Sequence, residues 1–185
     1  MLKDLIQKKT PFIDVRSPAE FNQGSIPLSI NIPILNDMER EIVGKAFKSS
    51  GQETAKKIGY ELVSGKIKND RVNEWKKFIE ANPRSWLYCA RGGLRSEIAQ
   101  SWLKDIGLII DRVDGGFKSI RNFCLEVFEH IDEDKKDWII LAGRTGSDKT
   151  GMINKLNNSI DLEGLANHRG LSLIHISEPT RQLCI

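Results

Sequence analysis

Short apolar runs alternate with amphipathic stretches over the first two thirds of the chain. Four runs have the length of buried strands, and they cover residues 12–15, 29–32, 86–88 and 108–113. The intervening stretches place apolar residues three and four positions apart, which predicts helices over residues 17–23, 36–63, 69–80, 94–103 and 117–128. Strands that alternate with helices are typical of an open parallel α/β sheet flanked by helices.

Capping residues fix where two of these helices begin. Ser17, Pro18 and Glu20 have the order of an N-cap, a first helical residue and a capping-box acid, and Asn36 with Glu39 repeats the box. The helix that follows Asn36 is expected to be interrupted near Gly44 and Gly51. The predicted inward-facing positions of the last three helices are Val72, Trp75, Phe78, Ile79, Leu94, Ile98, Trp102, Leu103, Phe117, Ile120, Cys124 and Val127.

Composition describes an ordinary globular protein. Hydrophobic residues make up 39% and charged residues 29% of the 185 positions, and the net charge of +3 is too small to indicate nucleic-acid binding alone. No apolar run approaches membrane-spanning length, and polar residues such as Lys8 and Lys9 break up the start, so neither a membrane span nor a secretory signal is expected. Three cysteines are too few for a disulfide framework, which favours a reducing, cytoplasmic setting. The scattered histidines predict no metal site.

The stretch at residues 86–96 carries the strongest chemical signal. An apolar run ends at Cys89, and a loop with two glycines and two arginines leads into a helix. Amide groups of such a loop can point at one sulfur or one anion, and Gly92 and Gly93 can adopt positive φ. Arg91 and Arg95 would favour thiolate over thiol. We therefore predict a reactive Cys89 in an anion-binding loop formed by Arg91, Gly92, Gly93, Arg95 and Ser96. The alternative is a buried structural cysteine, which is our interpretation of Cys124.

A second motif lies at residues 143–150, after the apolar run 138–142, which we predict to be a strand. It matches the phosphate-binding pattern G-x-x-x-x-G-K-[ST] except that Asp148 replaces the second glycine. A carboxylate about 4 Å from a phosphate would repel it by roughly 4 kcal/mol at an effective dielectric constant of about 20. Phosphate binding is therefore doubtful, although the other motif positions are present: Gly143, Thr145, Gly146, Ser147, Lys149 and Thr150.

These patterns divide the chain into four segments. Residues 1–130 form the domain with the cysteine loop, and the charged residues 131–137 form a linker. Residues 138–170 form a truncated phosphate-loop fragment, which is too short to cover its own apolar faces. Residues 171–185 resemble a translated sequencing adapter, so we expect a non-native read-through tail on the front part of a longer protein.

Residues 12–21 and 24–33 resemble the two signatures of the rhodanese sulfurtransferase fold. Residues 89–96 resemble the active-site loop of one rhodanese-containing family, the bacterial tRNA 2-selenouridine synthases, which join a rhodanese domain to a phosphate-loop domain in this order. Residues 161–170 are similar to part of the second domain, so the resemblance extends over residues 4–170.

This resemblance implies an enzyme that replaces sulfur by selenium in the wobble 2-thiouridine of tRNA. Its substrates would be tRNA, selenophosphate and geranyl diphosphate, and its partner the enzyme that supplies selenophosphate. Cys89 would be the essential thiolate, supported by Asp14 and Arg16, and the phosphate-loop residues would hold the diphosphate.

Two other interpretations remain open. The spacing Cys89-x5-Arg95 also matches phosphatases that form a phosphocysteine, and one phosphatase group shares the rhodanese fold. The chain could instead be an inactive truncated fragment with at most weak RNA binding through its basic residues.

Overall fold

The computed structural model describes residues 1–130, 137, 139–144 and 146–165. Contacts along the chain separate two compact units, Met1–Glu126 and Val127–Ile185. We call them the first and second units and describe each by itself.

A parallel four-stranded sheet forms the centre of the first unit. Its strands are β1 (Phe12–Asp14), β2 (Ser29–Asn31), β3 (Trp86–Tyr88) and β4 (Asp111–Arg112), in the order β2-β1-β3-β4. The register places Ile13 beside Ile30 and Leu87, and Leu87 beside Arg112. This arrangement confirms the predicted open parallel sheet flanked by helices.

Within the described residues the first unit has six helices, of which the first was not predicted and the other five follow the predicted order. They are α1 (Leu2–Gln7), α2 (Pro18–Asn22), α3 (Asp37–Leu62), α4 (Gly65–Ala81), α5 (Leu94–Asp105) and α6 (Gly116–Glu129). Both predicted capping boxes are present, at Ser17 with Glu20 and at Asn36 with Glu39. The predicted break at Gly51 is a kink with φ of 83°. The break expected near Gly44 is wrong, because a glycine with helical φ costs a helix only about 1 kcal/mol.

Two apolar clusters cover the two faces of the sheet. Ile13, Leu87 and Cys89 belong to the larger cluster, which includes the buried side chains of α4 and α5. Phe12 and Tyr88 belong to the smaller cluster, with side chains of α1 and α6. Neighbouring strand residues therefore point to opposite faces, as strand pleating requires. The carboxyl edge of the sheet, where Cys89 lies, is anchored on both sides.

Two predictions about the first unit need correction. The run 108–113 contributes a strand only at β4, since Leu108 and Ile110 pack into the larger cluster without forming a ladder. Val127, which lies in the last turn of α6 and is the first residue of the second unit, does not face inward, because half of its surface is exposed. Cys124 packs against the smaller cluster, and burial raises the pKa of its thiol.

The second unit contains two short helices within its described residues, α7 (Lys149–Ile153) and α8 (Leu162–Leu165). The strand predicted over 138–142 is wrong for residues 139–142, which have no regular secondary structure. Ile139 and Ile140 are almost fully exposed, and an apolar run needs a neighbouring strand to form a ladder. Trp138, most of the predicted linker, Thr145 and the predicted tail lie outside the described residues.

Candidate active site

Three strands of the first unit place their following loops at the same edge of the sheet. β1 leads to Arg16, β3 leads to Cys89, and β4 leads to the turn at Gly115 and Gly116. In open parallel sheets, ligands bind at this carboxyl edge. We refer to residues 89–96, between the end of β3 and the first turn of α5, as the Cys89 loop.

The sulfur of Cys89 lies against the first turn of α5. Its Sγ atom is 3.3 Å from Ser96 Oγ and 3.8 Å from the carbonyl oxygen of Gly93. Ser96 is fully buried, and its hydroxyl is also 2.9 Å from the same carbonyl. A thiol can donate to these oxygens, whereas a thiolate can accept a hydrogen bond from the Ser96 hydroxyl.

The backbone of the Cys89 loop presents a run of available donors. The N–H groups of residues 91–95 have no protein acceptor within the described part of the chain. By contrast, the carbonyl groups of Cys89 and Ala90 accept hydrogen bonds from Phe117 and Lys118, at 2.8 Å and 3.0 Å. Five consecutive N–H groups thus lack a protein acceptor, which is the pattern of an anion-binding loop, although the amides of Arg91 and Gly92 lie against Gly116.

Close packing against the β4 turn fixes the conformation of this loop. Gly92 has φ of 65°, and a Cβ atom on it would lie 2.6 Å from Gly115 N and 3.1 Å from Gly116 N. Arg112 also donates to the carbonyl oxygen of Gly92 at 3.1 Å. Positive φ at Gly93 was a wrong expectation, because its φ of −101° is that of an extended N-cap residue. Of the two glycines in the Cys89 loop, only Gly92 adopts positive φ.

The two arginines of the loop have different surroundings. Arg91 is exposed. Arg95 donates to both carboxylate oxygens of Glu20, at 2.5 Å and 3.0 Å, and Arg40 lies 3.8 Å from the same carboxylate. Burial alone would raise the pKa of Glu20, but the hydrogen bonds and charge of Arg95 outweigh it and lower the pKa to about 2. The guanidinium of Arg95 is therefore held by Glu20 of α2, and within the described residues its hydrogen bonds go to that carboxylate and not to the sulfur.

Asp14 and Arg16 form a buried ion pair behind the loop. Arg16 Nη2 is 2.6 Å from Asp14 Oδ2, and the two side chains are 5% and 0% exposed. Burial disfavours the guanidinium charge, but hydrogen bonds to Asp14 keep the pKa of Arg16 above its ordinary value. Arg16 also donates to the carbonyl oxygen of Gly24 at 2.7 Å and lies 4.0 Å from the Phe117 ring. The pair thus joins the loop after β1 to α6.

Three residues at this edge were not singled out by sequence reasoning. Asn31 donates to the carbonyl oxygens of Asp14 and Arg16. The hydroxyl of Tyr88 lies 3.2 Å from Ser29 Oγ, and burial, followed by the charge of Asp14, raises its pKa. Gly116 approaches the carbonyl oxygen of Cys89 so closely that no side chain would fit. For Gly116, the pair of adjacent glycines after a predicted strand was the sequence feature that could have indicated its role.

The phosphate-loop motif of the second unit forms a turn around its lysine. Lys149 Nζ donates to the carbonyl oxygens of Gly143 and Arg144, at 2.8 Å and 3.1 Å. Ser147 also bonds to Arg144, and Gly146 has φ of 83°. Asp148 adopts the left-handed conformation, with φ of 55°, at the N-cap of α7. The position therefore has the backbone of a glycine while it carries a carboxylate.

Family comparisons agree with this architecture. The model of the rhodanese-like domain matches residues 1–123. The chain belongs to the rhodanese-like domain family. The model of the tRNA 2-selenouridine synthase AAA domain matches residues 136–182, downstream of the rhodanese-like match.

Curated relatives extend the similarity beyond the rhodanese-like domain. The chain is 48% identical over 168 residues to a tRNA 2-selenouridine synthase of Shewanella denitrificans, covering 91% of this chain and 46% of that protein. It is 48% identical over 171 residues to the protein of the same name in Pseudomonas paraeruginosa, covering 92% and 46%. The chain thus spans about half the length of these relatives, and the resemblance to this family is confirmed.

A solved structure is similar to part of this chain. It is the N-terminal domain of a Clostridium difficile 630 protein described as ATP/GTP binding, with a TM-score of 0.59 and 33% identity. The similarity covers 63% of this chain and 90% of that domain. Within the described residues, no helix has the length and apolarity needed to cross a membrane. The same residues contain no group of three or more His, Cys, Asp or Glu side chains arranged to hold a metal ion.

Proposed function

We propose that this chain is the N-terminal part of a cytoplasmic tRNA 2-selenouridine synthase, a selenotransferase. It would replace sulfur by selenium in the wobble 2-thiouridine of tRNA by way of geranylation and selenophosphate, and a separate enzyme would supply the selenophosphate. The names of relatives at 48% identity and the order of the two matching family models support this proposal.

One observation carries the catalytic part of the proposal. Cys89 Sγ lies 3.3 Å from the Ser96 hydroxyl, in a loop where the N–H groups of residues 91–95 have no protein acceptor within the described chain. In our proposal these amides hold the phosphate group of selenophosphate, and Cys89 is the essential thiolate beside it. Asp14 and Arg16 are supporting residues that hold the neighbouring loop, because their buried pair contacts both β1 and α6.

Selenium in tRNA gives a direct test of the role of Cys89. The full-length parent protein would be expressed in cells that lack their own synthase, and tRNA nucleosides would be analysed by mass spectrometry. We expect 2-selenouridine with the unmodified parent and none with Cys89→Ser. The matched control is Cys124→Ser, which changes a cysteine that packs against the smaller cluster and should leave selenation intact. Selenation by the Cys89→Ser protein would refute the proposed role.

The second unit would contribute the diphosphate site for geranyl diphosphate. The proposed phosphate-binding residues are Gly143, Thr145, Gly146, Ser147, Lys149 and Thr150, of which Thr145 lies outside the described residues. Lys149 supports this proposal because its ammonium group already bridges two loop carbonyls. Asp148 opposes it, since its carboxylate adds negative charge at the start of α7. Asp148→Gly in the parent should therefore strengthen diphosphate binding, measured by calorimetry, and an unchanged affinity would count against a phosphate site here.

A phosphocysteine phosphatase is the competing function for the same loop. Its mechanism needs the Arg95 guanidinium on the bound phosphate, but this group forms two hydrogen bonds to Glu20. The geometry therefore favours the synthase. Release of phosphate from an aryl phosphate that disappears in Cys89→Ser would support the phosphatase. Absence of both activities, with or without salt-dependent tRNA binding, would leave the inactive-fragment interpretation for this chain.

A further inference from the structure

The carboxylate of Glu20 accepts hydrogen bonds from its own helix and from α5. The backbone N–H of Ser17 donates to Glu20 Oε2 at 3.1 Å, as part of the capping box of α2. Arg95 donates to both carboxylate oxygens from its two terminal nitrogens, and its side chain is 19% exposed, compared with 25% for Glu20. Solvent therefore screens this pair only in part. The capping box fixes Glu20, and Glu20 in turn fixes the guanidinium of Arg95.

Arg95 is itself part of the Cys89 loop. It is the second residue of α5, and its backbone N–H is one of the donors without a protein acceptor. A guanidinium carries a planar fork of donors that matches the oxygens of a phosphate group. In this structure the two terminal nitrogens of that fork are bonded to Glu20. The Glu20 carboxylate and an anion bound to the loop amides are therefore competing acceptors for the same side chain.

A second arginine strengthens the effect of the Glu20 charge. Arg40 Nε lies 3.8 Å from Glu20 Oε2, on the same carboxylate that Arg95 contacts. Within the described residues, Glu20 is the acidic side chain that forms an ion pair with each of these arginines. Without its charge, two guanidinium groups would lie near each other and repel. An anion in the Cys89 loop would then offer Arg95 the negative charge that Glu20 now supplies.

We propose that Glu20 is a positioning residue that sets the anion affinity of the Cys89 loop, because it holds the Arg95 guanidinium away from a bound phosphate group. The loop then binds such a group through its backbone amides, and inorganic phosphate, which offers the same oxygens, is bound weakly. A weakly bound phosphate leaves the loop open to a reactive donor. The inference rests on the anion site proposed above for residues 91–95, and it assigns a role to a residue of α2 that lies outside that site.

Inorganic phosphate is the probe for this role. The phosphate concentration that halves the rate of Cys89 alkylation by iodoacetamide would be measured by mass spectrometry on the full 185-residue chain, with chloride keeping the ionic strength constant. Glu20→Gln should lower this concentration about tenfold, because Arg95 gains a charge-assisted contact with the anion. Glutamine also keeps the capping box. A merely structural role for Glu20 would weaken phosphate binding instead. Alkylation of Cys124, which packs against the smaller cluster, should not depend on phosphate.

Glu39→Gln is the matched control. Glu39 also completes a capping box, with Asn36, and its carboxylate accepts two hydrogen bonds from Arg71, at 2.9 Å and 2.8 Å. Neither of these partners belongs to the Cys89 loop. The control variant should therefore need the same phosphate concentration as wild type. An equal gain of affinity in the Glu20 and Glu39 variants would overturn the proposal.

The double variant Glu20→Gln with Arg95→Gln tests whether the gain depends on Arg95. It should bind phosphate within about twofold of wild type, since it removes the pair as a unit. About tenfold weaker binding would show that Arg95 already contacts the anion in wild type, and this outcome would overturn the proposal even if Glu20→Gln alone failed to fold. Equal protection in wild type and Glu20→Gln would refute the role of Glu20 and leave the anion site intact. Absence of protection in every protein would refute the anion site as well.

Discussion

At the scale of single residues, the candidate chemistry depends on what touches one sulfur atom. Sequence reasoning assigned the stabilisation of a Cys89 thiolate to two arginines, but Arg95 is paired with Glu20 and Arg91 is exposed. The groups that the structure places near the sulfur are the Ser96 hydroxyl and the carbonyl oxygen of Gly93. Of these two groups, only the hydroxyl can donate a hydrogen bond to a thiolate and so favour the anion. The effect of the Ser96 hydroxyl on the reactivity of Cys89 can therefore be measured.

We predict that Ser96→Ala slows the alkylation of Cys89 by iodoacetamide about fivefold at neutral pH, the effect of losing one hydrogen bond to the reacting thiolate. Site-specific rates would be read by mass spectrometry of digested protein. Ser101→Ala, an exposed change in the same helix, is the matched control. Cys89 is the more buried of the two cysteines, but the raised pKa of the Cys124 thiol leads us to expect that Cys124 reacts more slowly. Equal Cys89 rates in both serine variants would mean that the hydroxyl does not stabilise the thiolate.

At the scale of elements, the site depends on how closely two loops approach. The turn after β4 packs its glycine amides against Gly92, and α6 caps the carbonyl of Cys89. A side chain at Gly92 would meet both a positive φ and the backbone of the opposite loop. The cost of positive φ can be separated from the cost of close packing by comparison with Gly107. This glycine also has positive φ, but a Cβ atom there would have no neighbour within 4 Å.

Gly92→Ala should therefore destabilise the protein more than Gly107→Ala. We expect about 1 kcal/mol for Gly107→Ala, from the left-handed backbone alone, and more than about 2 kcal/mol for Gly92→Ala. Urea unfolding monitored by circular dichroism would give both values. If the two variants lost equal stability, the close approach of the loops after β3 and β4 would not constrain the site.

The link between α2 and α5 gives a pH-dependent prediction. The pKa of Glu20 falls from its ordinary value of 4.5 to about 2 in the folded protein. A lowered folded pKa contributes stability above pH 4.5, and this contribution disappears as the pH falls toward 2. Urea unfolding should therefore show wild type more stable than Glu20→Gln at pH 7, with a smaller difference near pH 3. A difference independent of pH would show that the charge of Glu20 does not stabilise the fold.

Local sequence patterns predicted the helices and strands better than they predicted the contacts between them. The capping boxes at Ser17 and Asn36 depend on residues three apart, and so the sequence displays them directly. The contact between Arg95 and Glu20 joins residues 75 positions apart, and no periodicity reports such a pairing. The predicted strand over 138–142 failed for a related reason, since an apolar run indicates a strand only where another strand is available beside it.

At the scale of the whole molecule, the two units differ in how they could support a fold. Both apolar clusters draw their residues from Leu2 to Cys124, within the first unit. In the second unit, large hydrophobic side chains such as Ile139, Ile140 and Leu162 are mostly exposed among the described residues. A unit that contains its own core can fold without the remainder of the chain.

We therefore predict that residues 1–130 fold alone, with the same urea midpoint as the main transition of the full chain. Unfolding would be followed by the fluorescence of the core tryptophans, including Trp75 and Trp102. The matched control ends at residue 115 and removes α6, which exposes Tyr88 and Val113 of the smaller cluster. Removing α6 should lower the free energy of unfolding by several kcal/mol, roughly the sum of two or three large-to-small substitutions in the core. The shortened protein should therefore show no cooperative unfolding transition in urea. If residues 1–130 failed to unfold cooperatively, the second unit would have to complete the core, and the Cys89 loop could not be treated as a site of the first unit alone.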